Sequence, residues 1–479
     1  MILNYEPKNV MKYFEEICAI PHGSGNTKEI SDYLMDFAAK HDLDAVQDDM
    51  NNVIIWKKAT EDKTDSEPII LQGHIDMVCV KEEWCDKNME TEGLDIEVVD
   101  GFVSAKGTSL GGDDGIAVAY ALAILESEDI SHPDIAAVFT VDEEIGMFGA
   151  IGIDLSDVKG NMMLNIDSEE EGIFLISCAG GATADCTIPV ERKTQEGVGY
   201  EVVFSGFAGG HSGVEINKNR ANTNVLTGRL MMELADVMPY AISELSGGEK
   251  DNAIAKISKV KFVIPEECTE EFENKIKVFE QVIKNEFSTT ETQMQIACTT
   301  FGKNEYEVIS QGDVIRIVMA INYIPNGVQK MSADIEGLVQ TSLNFGVMEL
   351  REDDMQLKYS VRSSLKSEKE ALLLKIENLV QFLGGEVEIS GEYPAWEYKK
   401  DSKLRELMVE SYKELYGKNP KIEAIHAGLE CGIMADKIEG LDCVSFGPQM
   451  YDIHTTNERM EIESVERTWK LLVKLLGKI

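Results

Sequence analysis

Apolar residues recur along the first third of the chain in two alternating rhythms. Residues 27–41 (TKEISDYLMDFAAKH) carry them at helical spacing, with Thr27 where an N-cap is expected. Residues 53–57 and 68–80 (PIILQGHIDMVCV) read as strands. The second is apolar almost throughout, as a strand covered on both faces should be. The Ala-rich stretch 114–127 predicts a helix, and IAAVFTVDEE, NMMLNIDSE and GIFLISCAG predict three more strands. This alternation predicts an α/β domain with a mainly parallel sheet and helices on both faces. The middle of the chain reads differently. EVVFSGF, AIAKISKVKFVI, TQMQIACTTF and DVIRIVMAINYI are strand-like, with helices expected near 219–238, 267–287 and 366–383, the pattern of an α+β insertion. After residue 397 the first rhythm returns: SKLRELMVESYKELYG as a helix, KIEAIHAG and LDCVSFG as strands, and ESVERTWKLLVKLLGKI as a closing amphipathic helix. The expected organisation is one α/β domain in two parts, 1–185 and 397–479, split by an inserted α+β lid or dimerisation domain, 186–396.

A chain of 479 residues is too long for one core, which agrees with that division. The 86 acidic residues outnumber 45 basic ones, for a formal charge of -41, so neither nucleic acid nor an anionic membrane is an expected partner. No stretch approaches the apolar length of a membrane span, and Met1–Val10 does not read as a secretory signal. Nine cysteines, an odd number without a CxxC pair, sit mostly in apolar runs and read as reduced thiols of a cytoplasmic protein.

Candidate chemistry gathers at the predicted strand ends. His74 and Asp76 in QGHIDMV are spaced to share one face of a strand. They suit a metal ligand with a supporting carboxylate, and equally a hydrogen-bonded structural pair. Asp113 and Asp114 follow paired glycines where a helix begins, a position that also suits simple N-capping. Asp142, Glu143 and Glu144 end another strand, Asp167 a third, and His454 lies in a loop before the last helix. Each signal alone has a bland reading. Together, two histidines and several carboxylates at the strand ends of a split α/β domain suit zinc, with one carboxylate shared between two ions and another free to act as general base.

The ordered motifs GHIDMV, LGGDDGIA, VDEEIGMFGA, NIDSEE, SGFAGGHSG, HAGLECG and IHTTNER resemble the aminoacyl-histidine dipeptidases, carnosinase-like members of the clan of co-catalytic two-zinc exopeptidases and aminoacylases. The resemblance runs from about residue 5 to the C-terminus. It implies two zinc ions per chain, replaceable by manganese or cobalt, with ligands His74, Asp113 (bridging), Glu144, Asp167 and His454. It implies Glu143 as general base, Asp76 as the supporting carboxylate and His211 as an oxyanion donor from the lid, often across a dimer interface. Arg362 resembles the arginine that holds a substrate carboxylate. His426 and Glu430 of HAGLECG are candidates for substrate contact or for support, Glu430 facing a substrate ammonium in the first case. Two departures stand out. The family's Asp-Asn is here Asp113-Asp114, giving the bridge a neighbouring rival, and its His-Ser-Pro-Asp-Glu run is here His-Thr-Thr-Asn-Glu. The implied protein is a cytoplasmic dipeptidase acting on Xaa-His and other dipeptides, a homodimer through its inserted domain. Hydrolysis of N-acyl amino acids is the alternative within the clan, and an inactive metal-dependent scaffold the alternative outside it.

Overall fold

In a computed structural model, which describes residues 2–479, the apolar runs of the outer parts of the chain pair into one eight-stranded sheet. Its order is Asp44–Gln47, Val53–Lys57, Ile135–Thr140, Ile69–His74, Met162–Asn165, Asp442–Ser445, Ile173–Cys178 and Lys421–Ile425. The four central strands run parallel. Antiparallel pairings flank them, so the parallel character holds at the centre and not at the edges. Ile69–His74 and Ile135–Thr140 are buried at every position, which is why neither shows polar alternation. Helix Gly112–Glu126 is buried along almost its whole length, as its lack of a polar face requires. Helices Lys8–Cys18 and Ile462–Lys478 turn one apolar face each to the same core.

Three local expectations are corrected. The strand expected to reach Val80 stops at His74, because the chain then leaves the sheet to pair with the 22–24 loop: Met77 N–H donates to the His22 carbonyl (3.1 Å) and Ser24 N–H to that of Met77 (3.3 Å). Thr27 precedes helix Lys28–Lys40 but makes no capping bond, since its own backbone is already near-helical. DVIRIVMAINYI is not a strand. It lies in helix Gln311–Tyr323, capped by Ser310, and buries Val314, Ile317, Val318 and Ile321 at helical spacing. Its β-branched residues suggest a strand, but tertiary packing overrides that preference.

The chain forms two compact units. The first holds residues up to Ser177 with Tyr398–Ala424 and Leu429–Ile479; the second holds Cys178–Glu397 with Ile425–Gly428. Residues 178–185 thus go with the second unit, where Gly180–Pro189 pairs along its length with Asp354–Ser363. That unit is built on an antiparallel sheet ordered Gln295–Ile309, Arg192–Ser205, Ser258–Ile264, Ala241–Gly247, Val339–Leu350, Asp354–Ser363, Gly180–Pro189 and Glu386–Tyr393, with Gly327–Met331 beside Val339–Leu350. Helices Thr223–Ala235, Thr269–Glu286, Gln311–Tyr323 and Lys366–Phe382 share its core with Phe204, Phe262 and Phe345. No helix among the described residues is long and apolar enough to cross a membrane. Six of the nine cysteines are buried; Cys79 and Cys298 are exposed.

Candidate metal centre and active site

Parallel strands deliver side chains to one sheet edge, the C-terminal one, where an open α/β sheet carries its sites. His74 ends one central strand, Asp167 follows Met162–Asn165 by two residues, and Glu143 and Glu144 follow Ile135–Thr140. Asp113 and Asp114 come in at the start of helix Gly112–Glu126, both outside helical backbone angles. His454 arrives from the loop before the last helix, held at φ +61°.

Asp113 is the centre of this group. Its Oδ1 lies 3.1 Å from His74 Nε2, and Asp167 Oδ1 lies 3.6 Å from the same nitrogen. Its Oδ2 lies 3.0 Å from His454 Nε2, and Glu144 Oε1 lies 2.8 Å from that nitrogen. Each oxygen of one carboxylate therefore faces its own histidine–carboxylate pair. A tetrahedral zinc bound at about 2.0 Å separates its ligand atoms by roughly 3.3 Å, so these spacings and this mixed N/O donor set fit two ions sharing Asp113. Asp114 also stands within ligand reach of His74 and Asp167, but among the described residues no contact takes it to His454. The Asp114 Oδ2 accepts the His74 main-chain N–H (3.2 Å), while its buried Oδ1 has no hydrogen-bond partner among the described residues.

Asp76 holds two parts of the site together. His74 Nδ1–H donates to its carbonyl oxygen (3.0 Å), which in the neutral imidazole turns the Nε2 lone pair towards Asp113. Its carboxylate accepts the main-chain N–H groups of Glu143 (3.0 Å) and Glu144 (3.4 Å) and the Ser24 hydroxyl (2.8 Å).

The electrostatics are those of an acid cluster awaiting cations. Burial, together with the Asp167 charge, lifts the Asp114 carboxyl well above the carboxylate range. Burial likewise lifts Asp167. It pushes Glu143 up to about 8, helped by Glu430, Glu144 and Asp113. Burial opposes charge on His74, but hydrogen bonds to Asp113, Asp167 and Asp76 raise it well above normal. Hydrogen bonds to Asp113 and Glu144 take His454 up to about 10.

Arg362, His426 and His211 belong to the second unit. Arg362 is buried; its Nη1 donates to the Tyr393 hydroxyl (2.6 Å), and its Nε has no hydrogen-bond partner among the described residues. Ser342, directly across the ladder from Arg362, bonds His426 Nε2 at 2.7 Å. Burial and the Arg362 charge lower His426 to about 3. His211 Nδ1 accepts the main-chain N–H groups of Gly213 (3.2 Å) and Val214 (3.3 Å), so its proton sits on Nε2. Burial and Arg362 also lower its pKa, which keeps the ring neutral at physiological pH.

A model of peptidase family M20/M25/M40 matches residues 70–478. The chain belongs to this family. It is 30% identical over 478 residues to the cytosol non-specific dipeptidase of Escherichia coli, covering 99% of this chain and 98% of that protein. A crystal structure of the aminoacylhistidine dipeptidase from Vibrio alginolyticus matches with a TM-score of 0.93 at 33% identity, over 100% of this chain and 98% of that one. The aminopeptidase PepT of Bacillus cereus, 17% identical with a TM-score of 0.59 over 99% of both chains, shares the fold.

One expectation about this M20 peptidase's site needs correction. Glu430 does not stand open to a substrate amine. It is fully buried, and its Oε2 accepts from Gln72 Nε2 (2.5 Å) and the Thr140 hydroxyl (2.7 Å). Asn165 Nδ2 donates on to Gln72 Oε1 (2.6 Å). Gln72, Thr140 and Asn165 lie on three adjacent strands, within three residues of His74, Glu143 and Asp167. This network is a polar floor under the ligand set. Sequence reasoning passed over it, although a polar residue inside each apolar run was the available signal. It also passed over Glu458, four residues beyond His454 and almost wholly buried.

Proposed function

We propose that this M20 peptidase hydrolyses dipeptides with a free N-terminal amine, broadly and including Xaa-His, at a two-zinc centre. The observation that carries the reading is Asp113, each of whose oxygens faces a separate histidine–carboxylate pair. The relatives named a non-specific dipeptidase and an aminoacylhistidine dipeptidase, similar over almost the whole chain, point to the same substrate class. We assign His74, Asp113 and Asp167 to one ion and His454, Asp113 and Glu144 to the other. Ions held there would polarise a substrate carbonyl and make a water acidic enough to lose a proton near neutral pH. Glu143 accepts that proton at its carboxylate and returns it to the leaving amine nitrogen. His211 Nε2–H donates to the carbonyl oxygen as negative charge develops on it. Arg362, buried with a donor to spare, suits the substrate's C-terminal carboxylate.

The direct test is a panel of free-amine dipeptides and their N-acetylated forms, assayed with zinc, manganese or cobalt. Turnover of the free dipeptides is expected. Preference for the N-acetylated forms would transfer the protein to the aminoacylases, and no metal-dependent turnover of either would leave a scaffold.

We further assign a homodimer through the second unit and a cytoplasmic location. Ile315, Met319 and Tyr323 form an exposed apolar stripe on helix Gln311–Tyr323, with Met232 and Val237 also exposed nearby in the unit. Such a face asks for a partner. His211→Ala is expected to lower kcat by about 10²–10³-fold with metal content unchanged, the usual worth of an oxyanion donor. If the donor acts in trans, mixing Glu143→Ala and His211→Ala chains restores activity, with one working site per mixed dimer. Sedimentation giving a fully active monomer would refute both the dimer and the trans arrangement.

A further inference from the structure

One buried carboxylate, that of Glu458, accepts from four consecutive main-chain N–H groups. Leu110 (2.7 Å) and Gly111 (3.2 Å) donate to Oε2, and Gly112 (2.9 Å) and Asp113 (3.5 Å) to Oε1. Gly111 makes the convergence possible. At φ +66° it is left-handed, so successive N–H groups turn inward as they do in anion-binding backbone nests. Here the anion is part of the chain, and Glu458 is only 3% exposed.

The clasp joins two segments that are far apart in sequence. On one side it holds the peptide units leading into Asp113. On the other, Glu458 closes the turn Thr455–Glu458 that directly follows His454, its own N–H donating to the Thr455 carbonyl (3.2 Å). The next residues, Arg459–Glu461, are anchored by pairing with Phe102–Ser104. His454 is a non-glycine residue at φ +61°, a conformation that persists only where the surroundings hold it. The two side chains at the ends of these segments meet, Asp113 Oδ2 and His454 Nε2 standing 3.0 Å apart.

We propose that Glu458 is a positioning residue for the metal centre: by clasping the N–H groups of Leu110–Asp113 it holds Asp113 and His454 at ligand spacing, and so sets the affinity of the ion on the His454 side. The proposal rests on the two-metal reading of the cluster. A plain structural staple would stabilise the fold whether or not metal is bound. A positioning residue acts on metal affinity, and most at the site where Asp113 and His454 meet.

The experiment titrates metal-free full-length protein with zinc against a chromophoric chelator and melts it with and without zinc. Glu458→Gln keeps the size but turns an NH₂ group against donors. It is expected to weaken one of the two zinc sites by about 10–100-fold, the usual cost of losing a residue that orients a ligand. The site on the His74 side, which shares Asp113, should weaken less, and the rise in melting temperature on adding zinc should shrink whatever stability the metal-free protein loses. Unchanged affinity at both sites, or a lowered metal-free melting temperature with normal zinc binding, overturns the proposal. Should Glu458→Gln fail to fold, Glu458→Asp keeps the charge and shortens the reach. It should weaken the same site, and normal affinity there is equally fatal. Wild-type protein that binds fewer than two zinc ions would instead overturn the underlying two-metal reading.

Discussion

Glu143→Gln should lower kcat by about 10²–10⁴-fold, the usual contribution of a positioned general base, while two metal ions stay bound. Glutamine preserves the volume and removes the basic oxygen. The metal should stay because none of the short contacts that define the ligand set involves the Glu143 side chain. In the metal-free protein, burial and the neighbouring acids hold Glu143 up to about 8, too high for an ionised base at neutral pH. Two dications held beside it would reverse the local field and draw its pKa down, so the proposed base would become available once the ions are bound. Glu144→Ala is the control. It removes the oxygen 2.8 Å from His454 Nε2 and should cost metal on that side. Elemental analysis and steady-state rates on the two variants decide the matter. Metal loss in Glu143→Gln with retention in Glu144→Ala would exchange the two roles.

Exhaustive chelation should abolish activity, and zinc should restore it. The reason is electrostatic as well as chemical. Without ions, Asp113, Asp114, Glu143, Glu144 and Asp167 crowd around two histidines, and protons supply the missing positive charge. His74 and His454 are both raised above the ordinary histidine value, so at neutral pH the metal-free site holds protons that an ion must displace. Zinc loading in weak buffer at neutral pH should therefore release protons, and zinc affinity should fall as pH falls. Zinc at about 100 times its dissociation constant should add about 2.7 kcal/mol to stability, seen as a higher melting temperature. Full activity after verified metal removal, or zinc uptake without proton release, would contradict this account.

Several features of the site were legible before the fold was known. GHID, GGDDG, DEE and the late histidine declare themselves by residue type, because carboxylates and imidazoles after apolar runs are costly unless something holds them. The polar floor was harder to see. Gln72, Thr140 and Asn165 each interrupt an apolar run, but only strand order makes them neighbours. Glu430 shows the opposite limit: a motif residue that chemistry suggests for an ammonium is turned into the core by the helix it begins. DVIRIVMAINYI shows a third, since β-branched residues at helical spacing satisfy both local rhythms and the core they pack against decides between them.

The amino-acid sequence by itself determined the alternation of elements, the split of one α/β domain by an insertion, and the inventory of donors, all of which follow from local periodicity and side-chain chemistry. Tertiary structure alone decided that Asp113 rather than Asp114 faces both histidines, that Asp76 ties His74 to the main chain of residues 143–144, and that Glu458 clasps the turn before Asp113. These contacts join residues as much as 348 positions apart. No periodicity connects such positions; only the packing of strands and loops brings their donors and acceptors within bonding distance.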